Sequence, residues 1–131
     1  MFLPLWQNFY NYMCMAGVVI QKLRKRNKDE YEVAECYYGL LSSLNNLKLT
    51  ERERQLVAFM AIHKAIPYSE MKNKFCERYK GTSEQTISNM ISRLKKTKVI
   101  VKEKGRLRVH PDIALTFNEG IVLQITLTNG I

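Results

Sequence analysis

Between Ser83 and Arg108 the chain sets amide and hydroxyl side chains ahead of a dense run of cations. Gln85, Thr86, Ser88 and Asn89 come first, Ser92, Arg93 and Lys96 follow, and Lys102, Lys104, Arg106 and Arg108 close the segment. Glutamine and asparagine each carry a donor beside an acceptor, which matches the adenine edge in the major groove. Arginine matches guanine, and serine or threonine matches either. Cations farther along suit phosphate oxygens. The chemistry on offer is therefore recognition of a polyanion.

Bond-making chemistry has no comparable support. The sequence holds no Gly-rich phosphate loop, no GxSxG, no HExxH and no carboxylate pair on one identifiable face. Cys76 falls within an apolar helical stripe and reads as a packed thiol. His63 lies near a helix end, where a cation is favourable, and His110 precedes Pro111 with no evident partner. Cys14, Cys36 and Cys76 are too few and too widely spaced for a four-ligand zinc site. Reduced thiols, no metal, no cofactor and no enzymatic activity are the expectation.

The elements that must hold the recognition residues can be read from periodicity. Asp29 to about Asn46 has helical spacing, with Tyr31, Ala34, Tyr38, Leu41 and Leu44 on a wide apolar face. Thr50-Glu51-Arg52-Glu53 fits a capping box, so a helix starts there and runs to about Lys64, stopped by Ile66-Pro67. A second helix begins at Ser69, turns Met71, Phe75, Cys76 and Tyr79 inward, and ends at Lys80-Gly81. Thr82 or Ser83 caps a third, whose inward stripe is Ile87, Met90, Ile91 and Leu94. The period then shortens: Val99–Lys102 and Arg106–Val109 read as two strands joined by Glu103-Lys104-Gly105.

Three helices followed by a basic hairpin form the winged helix-turn-helix order. The fold class expected is α+β, a winged helix-turn-helix over residues 50–111. Residues 1–49 would add an apolar segment and a helix for packing or oligomerisation. Residues 112–131 would add a C-terminal β-arm, because Ile121, Leu123, Ile125 and Leu127 alternate with Val122, Gln124, Thr126 and Thr128. Ala114–Phe117, an N-terminal strand such as Gly17–Leu23, the hairpin or another subunit could pair with that strand, since a lone hairpin is marginal in water.

Charge supports the same segment. The 131 residues carry a formal +9 with 46% apolar residues, enough for a core. Residues 50–111 hold fifteen Lys/Arg against six Asp/Glu, and Arg93–Arg108 alone holds eight against Glu103. If six of these cations neutralise phosphates, the logarithmic salt slope of binding should be about −5. Each feature has a bland counterpart, since polar helix faces are often merely solvated and basic hairpins often only guard a sheet edge. Their coincidence on the two elements this fold uses for contact favours double-stranded DNA as partner.

Met1–Ile20 carries no charge and precedes Lys22, Arg24, Lys25, Arg26 and Lys28. Pro4, Gln7, Asn8 and Asn11 interrupt it, and Met13–Ile20 is much shorter than the roughly 20 apolar residues a span needs. It also lacks the basic start and small-residue cleavage site of a secretory signal. No membrane role is expected, and packing on the chain's own core or on a second subunit is.

Leu49–Glu53, Ser83–Lys96 and the Val99–Val109 hairpin together resemble winged-helix transcription regulators. They are more similar still to small winged-helix proteins encoded by tailed bacteriophages. The resemblance covers about half the chain and departs at Thr97-Lys98, where many regulators place glycine. It implies a DNA-binding phage or bacterial regulator in the host cytoplasm, reading operators as a homo-oligomer through its terminal segments. The termini match no regulator module. The alternative implied is a virion structural or assembly protein that reuses the domain and docks through its apolar ends.

Overall fold

A computed structural model describes Gln21 and residues 23–129. The uncharged segment Met1–Ile20 and a strand starting at Gly17 lie outside these residues. Among the described residues the architecture is α+β: four helices, α1 (Glu30–Asn45), α2 (Glu51–His63), α3 (Tyr68–Arg78) and α4 (Glu84–Lys96), then an antiparallel hairpin of β1 (Ile100–Glu103) and β2 (Arg106–Val109). A short 3-10 turn, Pro111–Ile113, follows. Among the described residues no helix is long and apolar enough to cross a membrane.

Local side chains start three of the helices. Asp29 accepts from the Glu32 amide at 3.0 Å to cap α1, and Ser83 accepts from the Thr86 amide at 3.1 Å to cap α4. The α2 capping box is complete: Glu53 N–H donates to Thr50 Oγ1 and Thr50 N–H to Glu53 Oε1. Helix α3 starts one residue before the expected Ser69, with Pro67 preset at φ −59° ahead of its first turn.

The end of α4 answers the missing glycine. Lys98 takes its place at φ 63°, Lys98 N–H donates to Lys95 O, and Val99 N–H reaches back to Leu94 O. That is a Schellman closure, sealed by the buried pair Leu94 and Val99. In the hairpin, Glu103 pairs with Arg106, so the loop is two residues and not three. Lys104 and Gly105 both have positive φ, as a type I′ turn requires.

Helix α2 is the axis of the core. Leu56 to Ala61 are buried in succession, more than the single face expected from spacing. The reason is α1, which covers the face that α3, α4 and the hairpin leave open and contributes Ala34 and Tyr38 to the same cluster. A helix enclosed on all sides must be apolar all round. Tyr38 is fully buried and donates to Ile113 O at 2.7 Å, and burial holds its phenol far above the ordinary value. Phe117 packs its ring 5.7 Å from Tyr37 and 5.8 Å from Tyr38, closing the core beneath the C-terminal segment.

The expected C-terminal β-arm is not formed. Neither residues 114–117 nor residues 121–128 adopt strand structure. Ile121 packs against the core, while Val122 is 99% and Leu127 85% exposed. Alternation specifies which side chains would share a face, but a strand also needs a ladder partner. Among the described residues no sheet edge receives this segment. A contact that spacing did not suggest forms elsewhere: Ile66, between α2 and α3, makes an antiparallel bridge to Leu107 on β2.

His63 also differs from its expected role as a helix-end cation. Its ring lies 4.2 Å from Phe59, and its Nε2 is 2.8 Å from the hydroxyl of Tyr31 on α1. Burial, then nearby Lys74, lowers its pKa, while burial raises that of Tyr31. Both shifts favour the uncharged forms of the two rings in this contact.

Two outcomes follow from these geometries. The native His63 ring binds its proton more weakly than the unfolded chain does, so its contribution is complete above the ordinary value of 6.5 and is lost as pH falls from there to the lower native value. Urea unfolding between about pH 7 and about pH 5 should show this loss, and His63→Gln should flatten it. A non-glycine residue at φ 63° is strained, so Lys98→Gly should raise stability by up to about 1 kcal/mol, read as a higher urea midpoint.

Candidate nucleic-acid interface

Helix α4 is divided along its length into a buried stripe and a polar face. Ile87, Met90, Ile91 and Leu94 are buried, and they turn Gln85, Thr86, Asn89, Ser92 and Lys96 to the outside. The first turn is fixed by Ser83, which accepts from the Thr86 amide and whose hydroxyl lies 2.9 Å from that of Thr86. Gln85 Nε2 donates to Asn89 Oδ1 at 3.0 Å, one turn along. Ser88 is only half-exposed, and its hydroxyl lies 3.0 Å from that of Tyr68 at the start of α3. Ser92 is exposed. Lys72 on α3 forms an ion pair with Glu84 at 4.0 Å, a second tie between the two helices.

Arg93, expected from spacing to meet phosphate, is partly exposed but has its guanidinium engaged within the chain. Its Nη1 donates to Glu53 Oε1, and its Nη2 donates to the Lys48 carbonyl at 2.8 Å. The Glu53 side chain is 3% exposed, and its Oε2 has no hydrogen-bond partner. A buried carboxylate requires a cation, and Arg93 is the one within reach. Its position on the polar face of α4 thus serves to fasten that helix to the start of α2.

The cations beyond it fall into two groups. Lys96, Lys102 and Lys104 are exposed and, among the described residues, have no ion-pair partner. Lys95 and Lys98, which the spacing does not single out, are likewise exposed and without an ion-pair partner among the described residues. Their signal was simply membership of the Arg93–Arg108 basic run. The hairpin arginines are partly engaged: Arg106 Nη1 donates to Ala65 O at 3.3 Å, and Arg108 Nη1 to Glu103 Oε2 at 3.1 Å. Both ties are at the surface, where such pairs contribute little and exchange readily. At the C-terminal end of α4, Lys95 and Lys96 also complement the helix dipole.

Of the remaining candidates for chemistry, Cys14 lies outside the described residues, and Cys76 and His110 have structural partners. Cys76 donates to Thr82 O at 3.5 Å and packs against the core, and Cys36 is a half-buried free thiol. His110, which showed no partner in the sequence, accepts the Asp112 amide through Nδ1 at 3.1 Å. Among the described residues no three His, Cys, Asp or Glu side chains converge as a metal-holding group. The exposed side of α4 and the hairpin is a surface with hydrogen-bonding groups and charge to spare.

Comparison with known proteins finds no matching family model, no matching curated protein and no matching solved structure.

Arg93 and Lys96 should separate by experiment. Arg93→Ala strands the Glu53 carboxylate and should cost about 2–3 kcal/mol in chemical denaturation. Lys96→Ala should change stability by less than about 0.5 kcal/mol.

Proposed function

We propose that this chain is a winged helix-turn-helix protein that binds double-stranded DNA, with α4 in the major groove and the β1–β2 hairpin on the adjoining backbone. One observation carries the reading. Lys95, Lys96, Lys98, Lys102 and Lys104 are exposed and unpaired among the described residues, and they lie between the last turn of α4 and the hairpin tip, with Glu103 the one acid in that stretch. Unneutralised cations gathered on two successive elements gain by displacing the counterions of a phosphate backbone. The polar first half of α4 lies beside them, where this fold's recognition helix presents side chains to base edges.

Transcription regulation by a phage or bacterial protein in the host cytoplasm is the role we attach to this binding. Operator reading commonly uses two-fold half-sites, so a homo-oligomer would be the active form. A second reading, assembly into a phage particle, is favoured by the exposed apolar side chains Val122 and Leu127 in a segment without strand structure. There the same cations would face packaged DNA.

Fluorescence anisotropy on mixed-sequence duplex DNA tests the shared step. If the five exposed lysines each neutralise a phosphate, the logarithmic salt slope should be about −4.5. The double change Lys102→Ala with Lys104→Ala should reduce its magnitude by about 2 and leave thermal unfolding unchanged. Absence of salt-dependent binding by the unaltered protein sinks the DNA reading in both roles.

A further inference from the structure

On the exposed face of α4 the hydrogen bond between Gln85 and Asn89 is unlike its neighbours. Thr86 is drawn to the helix cap, Ser88 is held by Tyr68, and Arg93 is turned onto Glu53 and Lys48. Among the described residues Gln85 and Asn89, both exposed, have each other as side-chain hydrogen-bond partner. Two amides linked by one bond retain a defined remainder. The donating amide keeps its carbonyl oxygen, and the accepting amide keeps its NH2 group. That remainder is the same whichever of the two donates.

Resting on the DNA-binding reading above, we propose that Gln85 and Asn89 act as a single hydrogen-bonded pair that selects adenine at one position of the bound duplex. Adenine turns an acceptor, N7, and a donor, the N6 amino group, into the major groove. The free NH2 of the pair donates to N7, and the free carbonyl accepts from N6. Guanine presents two acceptors, so its O6 would confront the free carbonyl. Cytosine offers only its amino donor, and thymine only O4 beside a methyl group. Each amide already restrains the other, so less side-chain freedom is lost when DNA arrives.

A joint reader differs measurably from two separate ones. Independent contacts would multiply their effects, whereas members of one unit would not. Selection by the full chain from a randomised duplex pool should fix adenine at one position per bound protein. In competition against the same duplex carrying guanine there, Gln85→Ala and Asn89→Ala should each lower the preference about tenfold or more, and the double variant no further. Asn89→Asp keeps an acceptor for Gln85 but replaces the free NH2 with oxygen, and should move the preference from adenine toward cytosine. All these positions are exposed on a helix, so unchanged thermal unfolding verifies the variants. Duplex binding without adenine preference, or single effects that multiply in the double variant, overturns the pair while leaving the DNA-binding reading intact. No salt-dependent duplex binding by the unaltered protein overturns both.

Discussion

The carboxylate of Glu53 joins three parts of the chain that are remote in sequence. Its Oε1 accepts from the Thr50 amide to start α2, and the same oxygen receives Arg93 from α4. Arg93 in turn grips the Lys48 carbonyl in the link from α1. A charge this deeply buried stays in place only while its cation does. The polar knot therefore sets where α4 crosses the start of α2, and the apolar stripe of α4 then fills the space beneath. Whatever α4 touches, its placement relies on a group that no partner molecule would meet.

Around that knot the core has an unusual centre. A helix in a small α+β unit often exposes one side, yet α2 is enclosed by α1 as well as by α3, α4 and the hairpin. The polar-aromatic seam between α1 and its neighbours holds the extra cover. Tyr31 meets His63, Tyr79 donates to Glu35 at 2.9 Å, and the Arg78 guanidinium lies 3.7 Å from the Tyr31 ring centroid. Helix α1 belongs to the folded core and leaves the exposed face of α4 uncovered.

Features set by neighbouring residues could be read directly from the sequence. The Thr50–Glu53 box and the Ile87–Leu94 stripe each depend on a few adjacent positions, as does the hairpin, although its turn spans two residues and not the three expected. Features set by tertiary partners could not. Arg93 lies on the polar side of its helix, and nothing nearby in sequence tells that Glu53, forty residues earlier, will claim it. The Ile121–Thr128 alternation describes a face but not an edge to join. The Gln85–Asn89 bond lies between: its i, i+4 spacing was visible, and its geometry needed the helix.

The bridge from Ile66 to Leu107, with Arg106 reaching Ala65 beside it, clips the hairpin to the connector between α2 and α3. The hairpin is thus braced at its base, while Val99 and Ile100, buried, brace the strand that leaves α4. Helix and hairpin behave as a fork with a stiff root. Bracing at both strands ties the position of the hairpin tip to that of α4, so a surface that meets one of them must also fit the place of the other.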